Sequence, residues 1–180
     1  MMGWGRGNRE GGTVRPTRRL LFSLPLSTFP LLLLACTAIT VRPTYRPFPL
    51  AGMDTLTAMP PEIISAAGEE VKRLGLEVRV VTAPEGYLET RWFDLRAKTS
   101  RSSVANPDHT IRVRVWADLI TPLQSQLVVE TVQRRSLDPS VPEREDETVV
   151  AAGTPADSVT RTLRAAIKAR FDKGGKAVRP

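Results

Sequence analysis

Residues 61–173 predict a two-layer α+β domain, with about four antiparallel strands and an N-terminal and a C-terminal helix packed on one face. Three observations carry that expectation: a helical period first, a period of two through the middle, and a proline-led helix start near the end. The two periods separate because helical side chains share a face every third or fourth residue, whereas strand side chains alternate.

The first helix is read from Ile64, Ala67, Val71 and Leu74, whose spacing puts all four on one face. Pro60 and Pro61 suit its first turn, and Gly75 suits its stop. Gly68 inside it costs up to about 1 kcal/mol relative to alanine, which a close packing contact would explain. Leu76, Val78 and Val80 then alternate with Glu77 and Arg79, a half-buried strand. Pro84-Glu85-Gly86 reads as a turn. Beyond it Leu88, Thr90 and Trp92 alternate with Tyr87, Glu89, Arg91 and Phe93, which predicts a hairpin. Lys98 to His109 is a polar loop. In the third strand Ile111, Val113, Val115 and Ala117 share one face and Arg112, Arg114 and Trp116 the other, until Pro122 ends it. Gln126 to Gln133 is the fourth, its facing not fixed by the pattern. Residues 134–153 form a long loop containing the acidic run Glu143, Glu145, Asp146 and Glu147, which reads as a solvated connection. Thr154 as N-cap, Pro155 in the first turn and Asp157 near the dipole open the last helix. Val159, Leu163, Ala166, Ile167 and Phe171 form its apolar stripe. Such alternations describe an antiparallel sheet with one buried and one wet face. This order of elements resembles the helix-grip domains of envelope lipoproteins such as BamC, over about 110 residues. A likeness of element order transfers no function.

The chain has 180 residues, a net charge of +7, 41% hydrophobic residues, one cysteine and one histidine. One cysteine excludes a disulfide framework and a cysteine-rich zinc site, and one histidine excludes an intrachain histidine ligand pair. Residues 1–35 carry five arginines and one glutamate, a contribution of +4, so only +3 belongs to the remainder. That removes most of the support for a nucleic-acid partner.

Those first residues look like an address. A basic stretch precedes residues 20–35, an uncharged apolar run that ends in small Ala35. A membrane-spanning helix needs about 20 apolar residues, and this run is 16 long and interrupted by Pro25 and Pro30. A cleaved signal is the better account. Its end, Leu33-Leu34-Ala35-Cys36, resembles the lipobox of bacterial lipoprotein precursors. The resemblance implies cleavage between Ala35 and Cys36, with acylation of the Cys36 thiol and of the new N-terminus. Thr17-Arg18-Arg19-Leu20-Leu21-Phe22 looks like part of a twin-arginine signal, although the general secretory route accounts for paired arginines as well. Thr37 in place of aspartate favours the outer membrane in a diderm organism. The expected organisation is a signal over 1–35, a lipidated cysteine and proline-rich tether over 36–60, the domain over 61–173 and a flexible tail over 174–180. Asp54 to Met59 lie where the tether would first dock on the domain.

No catalytic residue, cofactor or metal site is expected. His109 lies beside Asp108 with Ser102 and Ser103 nearby, but sequence proximity does not supply triad geometry. The acidic run lacks the glycine turn and spaced ligands of a calcium loop. The candidate binding face is Arg79, Arg91, Phe93, Arg112, Arg114 and Trp116, on the side taken as wet. Arginines beside aromatics can hold an anionic or stacked ligand, whereas cross-strand pairs with Glu77 and Glu89 would make the same face structural. The expected function is a lipid-anchored envelope protein acting as a non-catalytic binding or scaffolding module, such as an accessory to outer-membrane assembly. Its partners would be the membrane, through acylated Cys36, and an envelope protein. The alternatives are a periplasmic carrier of a small apolar or lipid ligand, with Ala67 and Ala166 leaving room, and a secreted hydrolase.

Overall fold

The sheet is built around two long strands. In the computed structural model, which describes residues 40–174, the chain runs β1 (Gly52–Leu56), α1 (Pro60–Arg73), β2 (Val78–Thr82), β3 (Tyr87–Thr90), β4 (Trp92–Asp94), β5 (Thr99–Arg101), β6 (Thr110–Thr121), β7 (Gln124–Arg134), α2 (Glu143–Asp146), β8 (Glu147–Val149) and α3 (Pro155–Gly174). The fold is α+β, with every pairing antiparallel. The main order is β1-β7-β6-β3-β2, with β4 and β5 continuing from β6 and β8 from β7. Eight strands replace the four expected, and a strand rather than a helix comes first among the described residues. The additional strands β1, β5 and β8 are three to five residues long, too short to print a period of two, and the expected strand through Tyr87 to Phe93 is divided into β3 and β4. The expected signal, Cys36 and the tail lie outside the described residues.

α1 begins as its prolines dictate. With Met59 at the N-cap offering no side-chain oxygen, the Glu62 carboxylate accepts the Met59 backbone N–H at 3.0 Å. It ends at Gly75 (φ 81°), where the Gly75 N–H donates to the Lys72 carbonyl and the Leu76 N–H to the Val71 carbonyl. That closure satisfies the last orphan carbonyls and tucks Leu76 into the core behind Val71. A Cβ at Gly68 would lie 3.6 Å from Leu88, an ordinary van der Waals distance, so the close packing contact expected to explain this glycine is not found. α3 starts at Thr154, whose hydroxyl accepts the Asp157 N–H at 3.2 Å while the Asp157 carboxylate accepts the Gly153 N–H at 2.9 Å.

Both helices cover one face of the sheet. Ile63, Ile64, Ala67 and Val71 of α1 and Leu163 and Ile167 of α3 are fully buried against Leu88, Ile111, Val113, Val115, Leu127 and Val129. Each large aliphatic side chain buried this way stabilises the fold by about 1.5–3 kcal/mol.

The opposite face, expected to be wet, is covered as well. Residues 41–50 cross it as a strap, and α2 lies over its far end, where Glu143 accepts from Trp92 and Arg112. The strap enters from the end of the sheet that holds the β2–β3 turn. There Thr40 donates to the Glu85 carboxylate at 2.7 Å, and Arg42 donates to the Glu85 carbonyl and pairs with Asp118 at 2.7 Å. Gly86 (φ 66°) lets that turn lie against β6, because a Cβ there would sit 2.1 Å from the Ala117 carbonyl oxygen. Much of the expected tether is therefore part of the fold: the strap lies on the sheet and β1 pairs with β7 from Gly52↔Val129 to Leu56↔Ser125.

Candidate functional site

Alternation along the sheet decides which side chains meet under the strap. Arg79 from β2, Tyr87 and Glu89 from β3, Arg112, Arg114 and Trp116 from β6, Glu130 from β7 and Glu147 from β8 form one layer. Arg114 is its centre and is 2% exposed. Its Nη1 and Nη2 each donate to one Glu147 carboxylate oxygen at 2.7 Å, a two-pronged pair that matches guanidinium geometry. Nε donates to Glu89 at 2.9 Å and Nη1 also reaches Glu130 at 3.2 Å. Glu130 in turn accepts Arg144 Nη1 at 2.6 Å and the Phe48 backbone N–H of the strap at 2.7 Å. Arg144 lies 4.3 Å over the Tyr45 ring and 3.7 Å over the Phe48 ring, clamping the strap from outside. Tyr87 donates its hydroxyl to Glu89 at 2.8 Å and packs on Trp116 with ring centroids 5.4 Å apart.

Arg112 occupies the other half. Its guanidinium stacks 4.1 Å over the Trp92 ring, and both Arg112 and the Trp92 indole donate to the Glu143 carboxylate, at 3.0 and 3.1 Å. Arg112 Nε makes no hydrogen bond and lies 3.8 Å from Glu89. Arg79, Arg91, Ser102, Arg112 and Glu143 together line an open cleft of about 310 Å³.

Charge pairing decides what this layer can do. Arg79 meets Glu89 at 2.8 Å, Arg91 meets Glu77 at 3.5 Å, Arg112 meets Glu143 at 3.0 Å and Arg114 meets Glu147 at 2.7 Å. An anion entering the cleft would have to displace a carboxylate already in place. Burial disfavours ionisation of Glu89 and Glu143, yet the Arg112 and Arg114 guanidiniums outweigh it and hold both carboxyls below their usual range. Burial also works against the charge on Arg114, but Glu147 and Glu89 more than compensate and raise its affinity for the proton. Burial and then Glu89 push the Tyr87 phenol far above its ordinary value. These groups stay locked in their charge states through the neutral range, which suits them to structure rather than proton transfer.

The expected binding face is thus only partly assembled. Arg79 and Arg91 stand half-exposed at the cleft mouth, while Arg112, Arg114 and Trp116 are buried. Phe93 is on the opposite face, in the core with Ile111. The reason is a break at Arg91, which lies between β3 and β4 and donates its N–H to Glu77. One residue outside the ladder flips the alternation, so Trp92 joins Arg112 and Phe93 joins the core. The acidic run is not a solvated connection either: Asp146 and Glu147 are buried, and Glu143 and Glu147 supply carboxylates to the layer. The sequence does carry a signal for this, since buried strand arginines require carboxylates and the run is the densest source of them.

The other expected features lie elsewhere. His109 is half-buried in the loop before β6, and among the described residues its ring hydrogen-bonds to neither Ser102 nor Ser103. Between α3 and the sheet, where a carrier would hold its ligand, lies a cleft of about 420 Å³ lined by Gly52, Val129, Thr131, Asp157, Thr160 and Arg164. Among the described residues no group of three or more metal-ligating side chains is arranged to hold a cation. No protein-family model matches this chain, and none of the curated proteins resembles it significantly.

Proposed function

We propose that this chain is a lipid-anchored cell-envelope protein whose α+β domain is a non-catalytic binding or scaffolding module. The observation that carries the proposal is Leu33-Leu34-Ala35-Cys36 at the end of an uncharged apolar run behind a basic stretch. Thr40 and Arg42 are already fastened to the domain, so the chain leaves little free spacer after Cys36. Acylation at Cys36 would hold such a domain close against its membrane, the outer membrane in a diderm organism. Each buried CH₂ contributes about 0.8 kcal/mol, and several chains give stable anchoring where one does not. The paired, proton-inert charges under the strap fit a rigid module better than an enzyme, and its partner would be another envelope component, such as part of the outer-membrane assembly machinery.

The test is the intact mass of the protein extracted from membranes, beside a Cys36→Ala version. The expected mass is Cys36 onward plus acyl groups, absent from the variant. A full-length mass without acyl groups, or a cleaved and unacylated one, contradicts the proposal.

A further inference from the structure

Exposed apolar side chains gather at one end of this domain, the end where the strap begins. The β6–β7 hairpin tip presents Leu119, Ile120 and Leu123, which are 52%, 53% and 73% exposed. Val41 of the strap and Met59 at the start of α1 are exposed there too. Their common location follows from contacts: Arg42 holds Asp118, Gly86 lies against Ala117, and Ser125 donates its hydroxyl to the Ala58 carbonyl at 2.7 Å. Five of the nine large apolar side chains exposed among the described residues belong to this end. Three of them project from a single tight hairpin whose side chains have no core to cover.

Covalent geometry supplies the occupant. Three residues separate Cys36 from Thr40, so the extended chain caps the distance between their Cα atoms at about 14 Å. Resting on the proposed acylation of Cys36, we infer that the β6–β7 tip is a second membrane contact, with Leu119, Ile120 and Leu123 set into the headgroup and outer acyl region beside the lipid anchor. No helix among the described residues is long and apolar enough to cross a membrane, so the contact is interfacial. Its selectivity follows from the charges at this end. Asp118 is paired with Arg42, and Glu85 accepts hydrogen bonds from Thr40 and the Arg42 backbone, which leaves no basic cluster among the described residues of this end to recognise anionic lipid. Zwitterionic phosphatidylcholine is therefore a sufficient surface. The contact would fix the orientation of the domain, with β7 running away from the membrane and α2 at its distal end.

The experiment places the membrane-extracted protein in phosphatidylcholine vesicles with and without brominated acyl chains, after its intact mass is recorded. Leu123→Trp puts a reporter at the tip, and Leu137→Trp puts one beyond the opposite end of β7, an 11-residue strand that spans about 35 Å. Brominated lipid is expected to quench Leu123→Trp about twofold more than the parent protein, whose Trp92 and Trp116 are buried, and to leave Leu137→Trp at the parent level. An acylated mass with no added quenching at position 123 overturns the docking while leaving the anchor intact. Equal quenching at both positions overturns the orientation. Quenching absent while the emission at position 123 shifts with protein concentration identifies a second copy as the occupant instead. An unacylated mass overturns the anchor and this inference with it.

Discussion

Along β6, Ile111, Val113 and Val115 turn toward the helices while Arg112, Arg114 and Trp116 turn toward the strap, and all six are at most 2% exposed. One face is closed by aliphatic packing and the other by an ion-pair layer under residues 41–50 and α2. The contrast separates two properties that an alternating strand seems to join. Alternation reports the chemistry of each face, and what covers the face decides its exposure. A face of arginines and glutamates becomes interior once every guanidinium has a carboxylate and a second segment excludes water. The two interiors also respond differently to change. An aliphatic face loses energy in proportion to the volume removed, whereas an ionic one loses most when a single partner is taken away.

The largest effect should come from the centre of the ionic face. Arg114→Ala leaves Glu147 buried without its main partner, takes one donor from buried Glu89, and should cost about 3–5 kcal/mol in urea unfolding. Replacing both partners, Arg114→Met with Glu147→Leu, should cost less than the single change, because no orphan carboxylate remains at that pair. A double variant as unstable as Arg114→Ala would mean that shape rather than charge controls the layer. On the aliphatic face, Leu163→Ala opens a cavity against β7 and should cost about 3 kcal/mol. Acid should separate the faces without any mutation at all. Glu89 and Glu143 have folded pKa values below their ordinary 4.5, so the unfolded chain takes up their protons first as pH falls. Stability of the parent should hold above about pH 4.5 and decline below it. The cost of Arg114→Ala should shrink over the same range, while that of Leu163→Ala should not change. A flat acid profile for the parent would contradict the pairing.

The aliphatic face was legible in the sequence because it is made by long elements. The stripe of α1 and the alternation of Ile111 to Ala117 persist long enough to set a period and are found as read, the Thr154 cap is in place, and Val159, Leu163, Ile167 and Phe171 of α3 pack on the core with Ala166 outside it. The ionic face was legible in its arginines and in Glu77 and Glu89, whose pairs with Arg91 and Arg79 are found. Its other carboxylates come from Glu130 on a strand of ambiguous facing and from Glu143 and Glu147 in a stretch without period. Its cover comes from prolines and aromatics whose composition suggests a free spacer. These pieces are joined by pairing with the long strand β7 and by charge complementarity, both of which act between residues distant in the chain, such as Arg114 and Glu147, 33 apart, or Phe48 and Glu130, 82 apart. The exchange of Phe93 for Trp92 had a still smaller cause, a single unpaired residue at Arg91. The lipobox resemblance stands apart from the fold, since the expectation of a signal over residues 1–35 rests on order and composition alone.

Whether the chain after Cys36 is free or built into the domain decides how the molecule would sit on a membrane. Amide hydrogen exchange on the membrane-extracted protein measures this directly at Phe48, whose N–H donates to the buried Glu130 carboxylate, and at Arg42, whose N–H donates to Glu85. If the strap seals the ionic face, the Phe48 amide should exchange on the timescale of the β6–β7 ladder, and Arg114→Ala should release both together. Exchange at Phe48 as fast as in an unstructured peptide, with β6 and β7 still protected, would show a free tether and an open charged face.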